Sequence, residues 1–181
     1  MLEKLRAATQ DLHEKIEGEN TADLIMKHSI SVEQYKKLLL QNYVAYKITE
    51  DKIEAQLPEY TSDKTENLAK DLAELNVDLS ISENFQHDFT INTDAEALGA
   101  WYVVEGSSLG GMMIAKNIKE CEQLSSIEEH HFFNGKRQSV DGWRKFTKDL
   151  KKKDFSAEEE TQAIEKAKET FQFFGKVFRE I

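Results

Sequence analysis

Three times in this chain a Ser or Thr stands three residues ahead of a Gln or Glu, at the head of a run whose apolar residues recur every three or four positions. The pairs are Ser31 with Gln34, Thr93 with Glu96, and Ser156 with Glu159. At that spacing the hydroxyl accepts the N–H of the third helical residue, and the longer side chain reaches back to the N–H of the cap. Two of the donors that a helix start leaves unpaired are thereby satisfied. Each pair therefore opens a helix. Pro58 is the single proline among 181 residues, and no segment alternates apolar and polar residues as a half-buried strand does. Abundant Leu, Ala, Glu and Lys push the same way. The expectation is an all-α, bundle-like fold, most simply one domain over residues 1–181.

The spacing predicts a first helix over 2–17, with Leu2, Leu5, Thr9, Leu12, His13 and Ile16 on one stripe and Gly18 as its stop. A short helix follows near 21–27. The Ser31 box starts a long helix that Pro58 ends, and 62–75 reads as another. Residues 78–92 mix loop with a short helical turn. The Thr93 box opens a helix reaching about 119 in spite of its glycines, and 120–138 is irregular. Residues 140–151 form a basic amphipathic helix. The Ser156 box starts a last helix that buries Ile164, Ala167, Phe171, Phe174 and Phe178.

Charge and cysteine content narrow the function classes. The formal net charge is −10, which argues against general nucleic-acid binding and against an anionic membrane surface. No run of about 18 apolar residues occurs, and Glu3, Lys4 and Arg6 stand where a signal peptide would carry its apolar core. Cys121 is the single cysteine, so no disulfide forms within the chain and a reducing compartment fits. A cytoplasmic monomer is the expectation.

His13 is the first candidate for chemistry. It shares a helical face with Thr9, Ile16 and Glu17 and is expected to point inward. Neutral imidazole is a common metal ligand and a standard axial ligand of heme iron. Glu17, one turn on, can accept a hydrogen bond from the ring nitrogen that does not bind metal, which fixes the tautomer. Arg6 lies two turns earlier on roughly the same face and can reach an anionic group, with Gln10 to assist. A histidine beside an apolar face also serves as a core-edge residue, and the helix alone leaves both readings open. His28 sits near a helix end. His87, His130 and His131 fall in polar, irregular segments and read as surface.

The second candidate is the run from Tyr102 to Gly111. A glycine inside a helix costs about 1 kcal/mol relative to alanine. Gly106, Gly110 and Gly111, with Gly99 before them, add up to a penalty tolerated where something needs close access to backbone. Gly106 and Gly110 are four apart and share a face that a flat ligand can approach. Ser107 and Ser108 add hydroxyls that can hold water. Tight helix–helix crossing through small residues explains such a pattern equally well. A phosphate loop does not, because no strand precedes the run and no lysine follows the second glycine.

Taken together, the two stretches resemble the heme oxygenase family. The opening Leu5-Arg6, Thr9, His13 and Glu17 are similar to its Leu-basic-x-x-Thr-x-x-x-His-x-x-x-Glu pattern. Tyr102-Val103-Val104-Glu105-Gly106-Ser107 with Gly110-Gly111 resembles the distal helix of its bacterial, biliverdin-producing branch. A third similarity is Glu165-Lys166-Ala167-Lys168-Glu169-Thr170-Phe171 in the last helix. The stretch from Pro58 to Asn92 carries little of the resemblance.

The resemblance implies heme b as both substrate and cofactor, held between the first helix and a glycine-kinked distal helix. It implies cleavage of heme to biliverdin, CO and ferrous iron, using O2 and an external electron donor such as a ferredoxin or a reductase. His13 would be the iron ligand and Glu17 its hydrogen-bonding acid. Arg6 and Tyr102, with Gln10 and Lys148, would hold the propionates. Phe171 and Phe178 would pack near the macrocycle. Gly106, Ser107, Gly110 and Gly111 would form the catalytic face, with waters at Ser107 delivering a proton. Two departures stand out. Some members carry an aspartate where this chain has Ser107, and Thr147 stands nearest the place of a propionate-binding arginine. Two other readings stay open here: a non-catalytic heme-binding or heme-sensing protein on the same fold, and a helical interaction module without heme.

Overall fold

A computed structural model describes residues 1–19, 21–134 and 138–181. Among them are eight α-helices and no strand. In chain order they are α1 (Leu2–Glu19), α2 (Ala22–Met26), α3 (Val32–Gln56), α4 (Lys64–Glu74), α5 (Asp94–Gly106), α6 (Ser108–Asn117), α7 (Gln138–Leu150) and α8 (Ala157–Glu180). Short 3₁₀ turns occupy Ser80–Phe85, Ile118–Glu120 and Glu122–Leu124. The all-α expectation holds.

The start signals act as their chemistry requires. Ser31 accepts the N–H of Gln34, whose side chain takes the N–H of Ser31, and Ser156 and Glu159 do the same. At Thr93 the box is shifted by one residue. Its hydroxyl accepts the Glu96 N–H at 3.2 Å, but the Glu96 carboxylate takes the N–H of Asn92 at 2.6 Å. Pro58 acts through its predecessor: Leu57 leaves helical geometry at φ −123°, ψ 88°, and α3 ends at Gln56.

Two boundaries differ from expectation. Helix α1 runs through Gly18 to Glu19, and a Cβ on Gly18 would meet nothing within 4 Å, so no contact there demands glycine. The long helix expected from Thr93 is broken. α5 ends at Gly106, Ser107 is a turn residue, and α6 begins at Ser108. At the break the Ser107 hydroxyl donates to the Val104 carbonyl at 2.7 Å, the local side-chain bond that competes with helix continuation.

The main core joins α3, α4, α5 and α8, with Tyr35, Leu39, Ile53, Leu72, Val104 and Val177 fully enclosed. Burying each such apolar side chain contributes about 1.5–3 kcal/mol before entropy is subtracted. A smaller cluster of Leu5, Tyr102, Val103, Phe146, Leu150 and Phe171 ties α1 and α7 to the α5–α8 pair. Helix α5 crosses α8 closely at Gly99, where a Cβ would stand 2.1 Å from the Ala163 carbonyl oxygen. Gly99 is therefore a packing glycine, and its place in the ligand-access argument falls away.

Candidate functional site

A cavity of about 720 Å³ is lined by α1 on one side and the α5–α6 break on the other. Its volume lies in the range of small-molecule sites. Arg6, His13, Glu17, Tyr102, Gly106, Ser107, Gly110, Gly111, Phe171 and Phe178 all line it. Residues from both ends of the sequence thus converge on one space.

His13 projects into this space from α1. Its side chain is 53% exposed because it faces the void, where the sequence pattern pointed to an enclosed position. Glu17 Oε1 stands 3.5 Å from His13 Nδ1, and the Phe171 ring meets the imidazole edge-on at 5.9 Å. With a carboxylate at Nδ1, the lone pair for a metal belongs on Nε2. Arg6 is exposed and reaches Glu3 at 3.1 Å. The Tyr102 hydroxyl stands 3.4 Å from Thr9 Oγ1, which itself bonds the Leu5 carbonyl at 2.8 Å.

The glycines separate into two kinds. A Cβ on Gly110 or Gly111 would meet nothing within 4 Å, and one on Gly106 only Trp143 Cζ3 at 3.7 Å, an ordinary contact. Helix packing does not require glycine at these three positions. They leave bare backbone at three positions of the stretch that lines the cavity, a cradle that a Cβ would partly fill.

Across the break, Tyr46 on α3 donates its hydroxyl to Ser107 Oγ at 2.5 Å. Burial, the largest influence, pushes the Tyr46 phenol far up, so it remains a donor. Beside it on α5, Glu105 pairs with Lys64, a lining residue from the first turn of α4, at 3.0 Å. Apolar walls come from Val103, Ile114, Phe132, Phe174 and Trp143. Two methionines that are exposed to solvent, Met26 on α2 and Met113 on α6, also line the cavity.

Two expected residues lie elsewhere. Gln10 is exposed and its amide donates to Glu14 at 3.1 Å. Lys148 is exposed on α7, outside the described lining. Both follow from helix phase, which turns these side chains to solvent. The histidine pair at 130–131 is not free surface. His130 Nδ1 meets the Tyr35 hydroxyl at 2.8 Å and His131 Nε2 meets Glu74 at 3.0 Å. Sequence reasoning missed Tyr46, Lys64, Phe132 and Trp143 as site residues. Tyr46 lies on the buried face of α3, where a tyrosine brings a hydroxyl that needs a partner.

The residues fit an iron macrocycle: a single imidazole serves a metal that brings its own equatorial nitrogens, apolar walls suit a porphyrin face, and a backbone cradle admits a flat ring. A family model described as heme oxygenase matches residues 1–180. A search of curated protein sequences finds no match. Among solved structures, the fold is similar to the NO- and CO-bound heme oxygenase of Neisseria meningitidis, with a TM-score of 0.68 and 23% identity over 98% of this chain and 89% of that one. It is also similar to the heme oxygenase of Leptospira interrogans, with a TM-score of 0.71 and 15% identity over 98% of this chain and 97% of that one. These two likenesses bear on fold, and the family match spans nearly every residue: the chain belongs to the heme oxygenase family.

Proposed function

We propose that the cavity binds heme b with His13 as the protein ligand to iron, and that the protein cleaves this heme to biliverdin, CO and ferrous iron. O2 and electrons from an external donor, a ferredoxin or a reductase, complete the balance. Heme supplies the oxygen chemistry when bound. The observation that carries the reading is His13 sharing one cavity with the bare backbone of Gly106, Gly110 and Gly111. Neither a packing role for those glycines nor an interaction module accounts for that arrangement.

The protein's own tasks follow from its atoms. Glu17 beside Nδ1 orients the His13 ring and leaves Nε2 as the nitrogen for the metal. Arg6 and Tyr102 provide a cation and a hydroxyl for the propionates, and so set the in-plane orientation that decides which biliverdin isomer forms. The apolar walls exclude bulk water. Ser107 accepts from Tyr46 and donates to the Val104 carbonyl, which leaves it one lone pair to accept from one ordered water at the cavity. A serine positions such a water but adds no acid of its own, so the proton has to arrive through the solvent that it orders.

Residues 1–181 act as one domain in this reading. No helix among the described residues is long and apolar enough to cross a membrane. A monomer in the cytoplasm is part of the proposal, and it rests on composition and on the lone cysteine.

Hemin titration of the purified protein and of His13→Ala tests the assignment. One-to-one binding with a Soret band that is changed or lost in the variant supports His13 as ligand. Addition of ascorbate or a ferredoxin system under air then converts the band to biliverdin absorption. A Soret band that persists under working reductant would make the protein a heme binder without turnover, and absence of a one-to-one complex would defeat the heme reading altogether.

A further inference from the structure

Helix α4 carries a polar stripe of Lys64, Asn67 and Asp71, spaced three and four apart. Lys64 and Asn67 line the cavity. Asp71 does not, yet it is 3% exposed, and both carboxylate oxygens are spent on backbone. Oδ1 accepts the N–H of His131 at 2.7 Å, and Oδ2 accepts the N–H of Phe132 at 2.9 Å. Burial pushes the Asp71 carboxyl up, and the two amides pull it part of the way down. A buried carboxylate costs free energy that an apolar residue of similar volume would not. What it holds here is the backbone just before Phe132, Phe133 and Asn134, all of which line the cavity.

From there the contacts run on without a gap. The Phe132 ring meets Tyr46 at 5.6 Å in a T-shaped arrangement and Phe133 at 4.7 Å. The Tyr46 hydroxyl donates to Ser107 at the break between α5 and α6. Tyr35 and Glu74 hold the same segment only by the histidine rings, whereas Asp71 holds its main chain and so sets where the Phe132 side chain begins.

We infer that Asp71 is a positioning residue for the heme-facing side of the cavity: by fixing the backbone of His131 and Phe132 it holds the Phe132 ring on Tyr46, and through it the Tyr46 hydroxyl on Ser107. The inference rests on the assignment of the cavity to heme. It gives α4, whose far half is outside the cavity lining, a role in the chemistry.

Asp71→Asn tests it, because the amide keeps the volume but turns an N–H donor toward one of the two backbone donors. The first readout uses the ligand-free protein: the ring resonances of Tyr46, which sense the Phe132 ring, shift in the variant. The second uses the hemin complex: stoichiometry and the His13-dependent Soret band are retained, while azide affinity at the ferric iron changes and turnover per bound heme falls roughly ten- to a hundredfold, as for a misplaced reacting group. Phe132→Leu, which leaves the carboxylate clasp intact, reproduces the second pair of effects. The double variant is no worse than either single one. Unmoved Tyr46 resonances, or azide affinity and turnover at the wild-type level, overturn the inference. If Asp71→Asn fails to fold, wild-type azide affinity and turnover in Phe132→Leu overturn it equally. If the wild-type protein binds no hemin, the heme assignment fails, and the Tyr46 resonances still decide whether Asp71 acts through Phe132.

Discussion

Glu105 and Lys64 form an ion pair at 3.0 Å, with side chains only 6% and 13% exposed, directly before Gly106, the glycine at which α5 ends. Room for the carboxylate comes from α7: a Cβ on Gly142 would stand 2.7 Å from Glu105 Oε2. Removing one member of such a pair strands the other charge. Lys64→Met is therefore expected to destabilise the protein by roughly 3–5 kcal/mol in urea unfolding, with Lys64→Met/Glu105→Leu recovering most of the loss. A cost below about 1 kcal/mol for the single variant would mean the pair is solvated in practice.

Tyr46→Phe deletes one hydroxyl and leaves the ring packing against Phe132 and Phe174. Ser107 keeps its bond to the Val104 carbonyl, so the stability cost is small, about 1 kcal/mol. Hemin still binds one to one, but turnover per heme is expected to fall roughly tenfold or more, because the serine loses the donor that orients it. Wild-type turnover in this variant would remove Tyr46 from the proton-handling account.

Gly99→Ala and Gly110→Ala make opposite predictions from the same substitution. At Gly99 the added methyl meets the Ala163 carbonyl and forces α5 off α8, so a loss of at least 1–3 kcal/mol is expected. At Gly110 it meets nothing, and the gain in helix propensity stabilises the protein by about 0.5–1 kcal/mol. Hemin affinity should nevertheless drop in Gly110→Ala, since the methyl occupies the cradle. Thermal melts and hemin titrations of both variants check this, and unchanged affinity in Gly110→Ala would argue against contact between that face and the ligand.

Asp71 also predicts a pH dependence with a definite sign. Its carboxyl is pushed up in the folded protein, chiefly by burial, so the native state holds a proton that the unfolded chain has already released. Between the ordinary aspartate value and the higher native one, stability therefore falls as pH rises, and below that window the penalty is absent. The difference in unfolding free energy between the wild-type protein and Asp71→Asn should shrink or change sign across that window, as read from urea melts at a series of pH values. A difference independent of pH would show that Asp71 titrates normally.

What could be read from the sequence follows the range of the forces involved. Capping at Ser31 and Ser156 is settled within four residues, so those helix starts were legible. The stripe of α1 was legible too, although periodicity alone cannot tell a face that meets protein from one that meets a void, and His13 was expected to be more enclosed than it is. The same ambiguity grouped Gly99 with Gly106, Gly110 and Gly111, and only the crossing partner on α8 separates them. Tyr46, Lys64 and Phe132 reach the site from α3, α4 and an irregular segment that are distant in sequence, and nothing local marks their convergence. His130 and His131 looked solvent-facing for the same reason: their partners, Tyr35 and Glu74, are supplied by the fold.

The interruption at Ser107 divides labour along one stretch of chain. Helix α5 is anchored to α8 and α3, whereas α6 leans on the short α2 and on α7. The main-chain bonds thin out between them, to Ser107 N–H on Val103 at 3.3 Å and Gly111 N–H on Ser107 at 3.1 Å, so amide exchange is expected to show two protection classes meeting at residue 107, the weaker in α6. Mutations in α6 can then widen or narrow the cleft, and so admit altered porphyrins, with little penalty to the bundle that carries it.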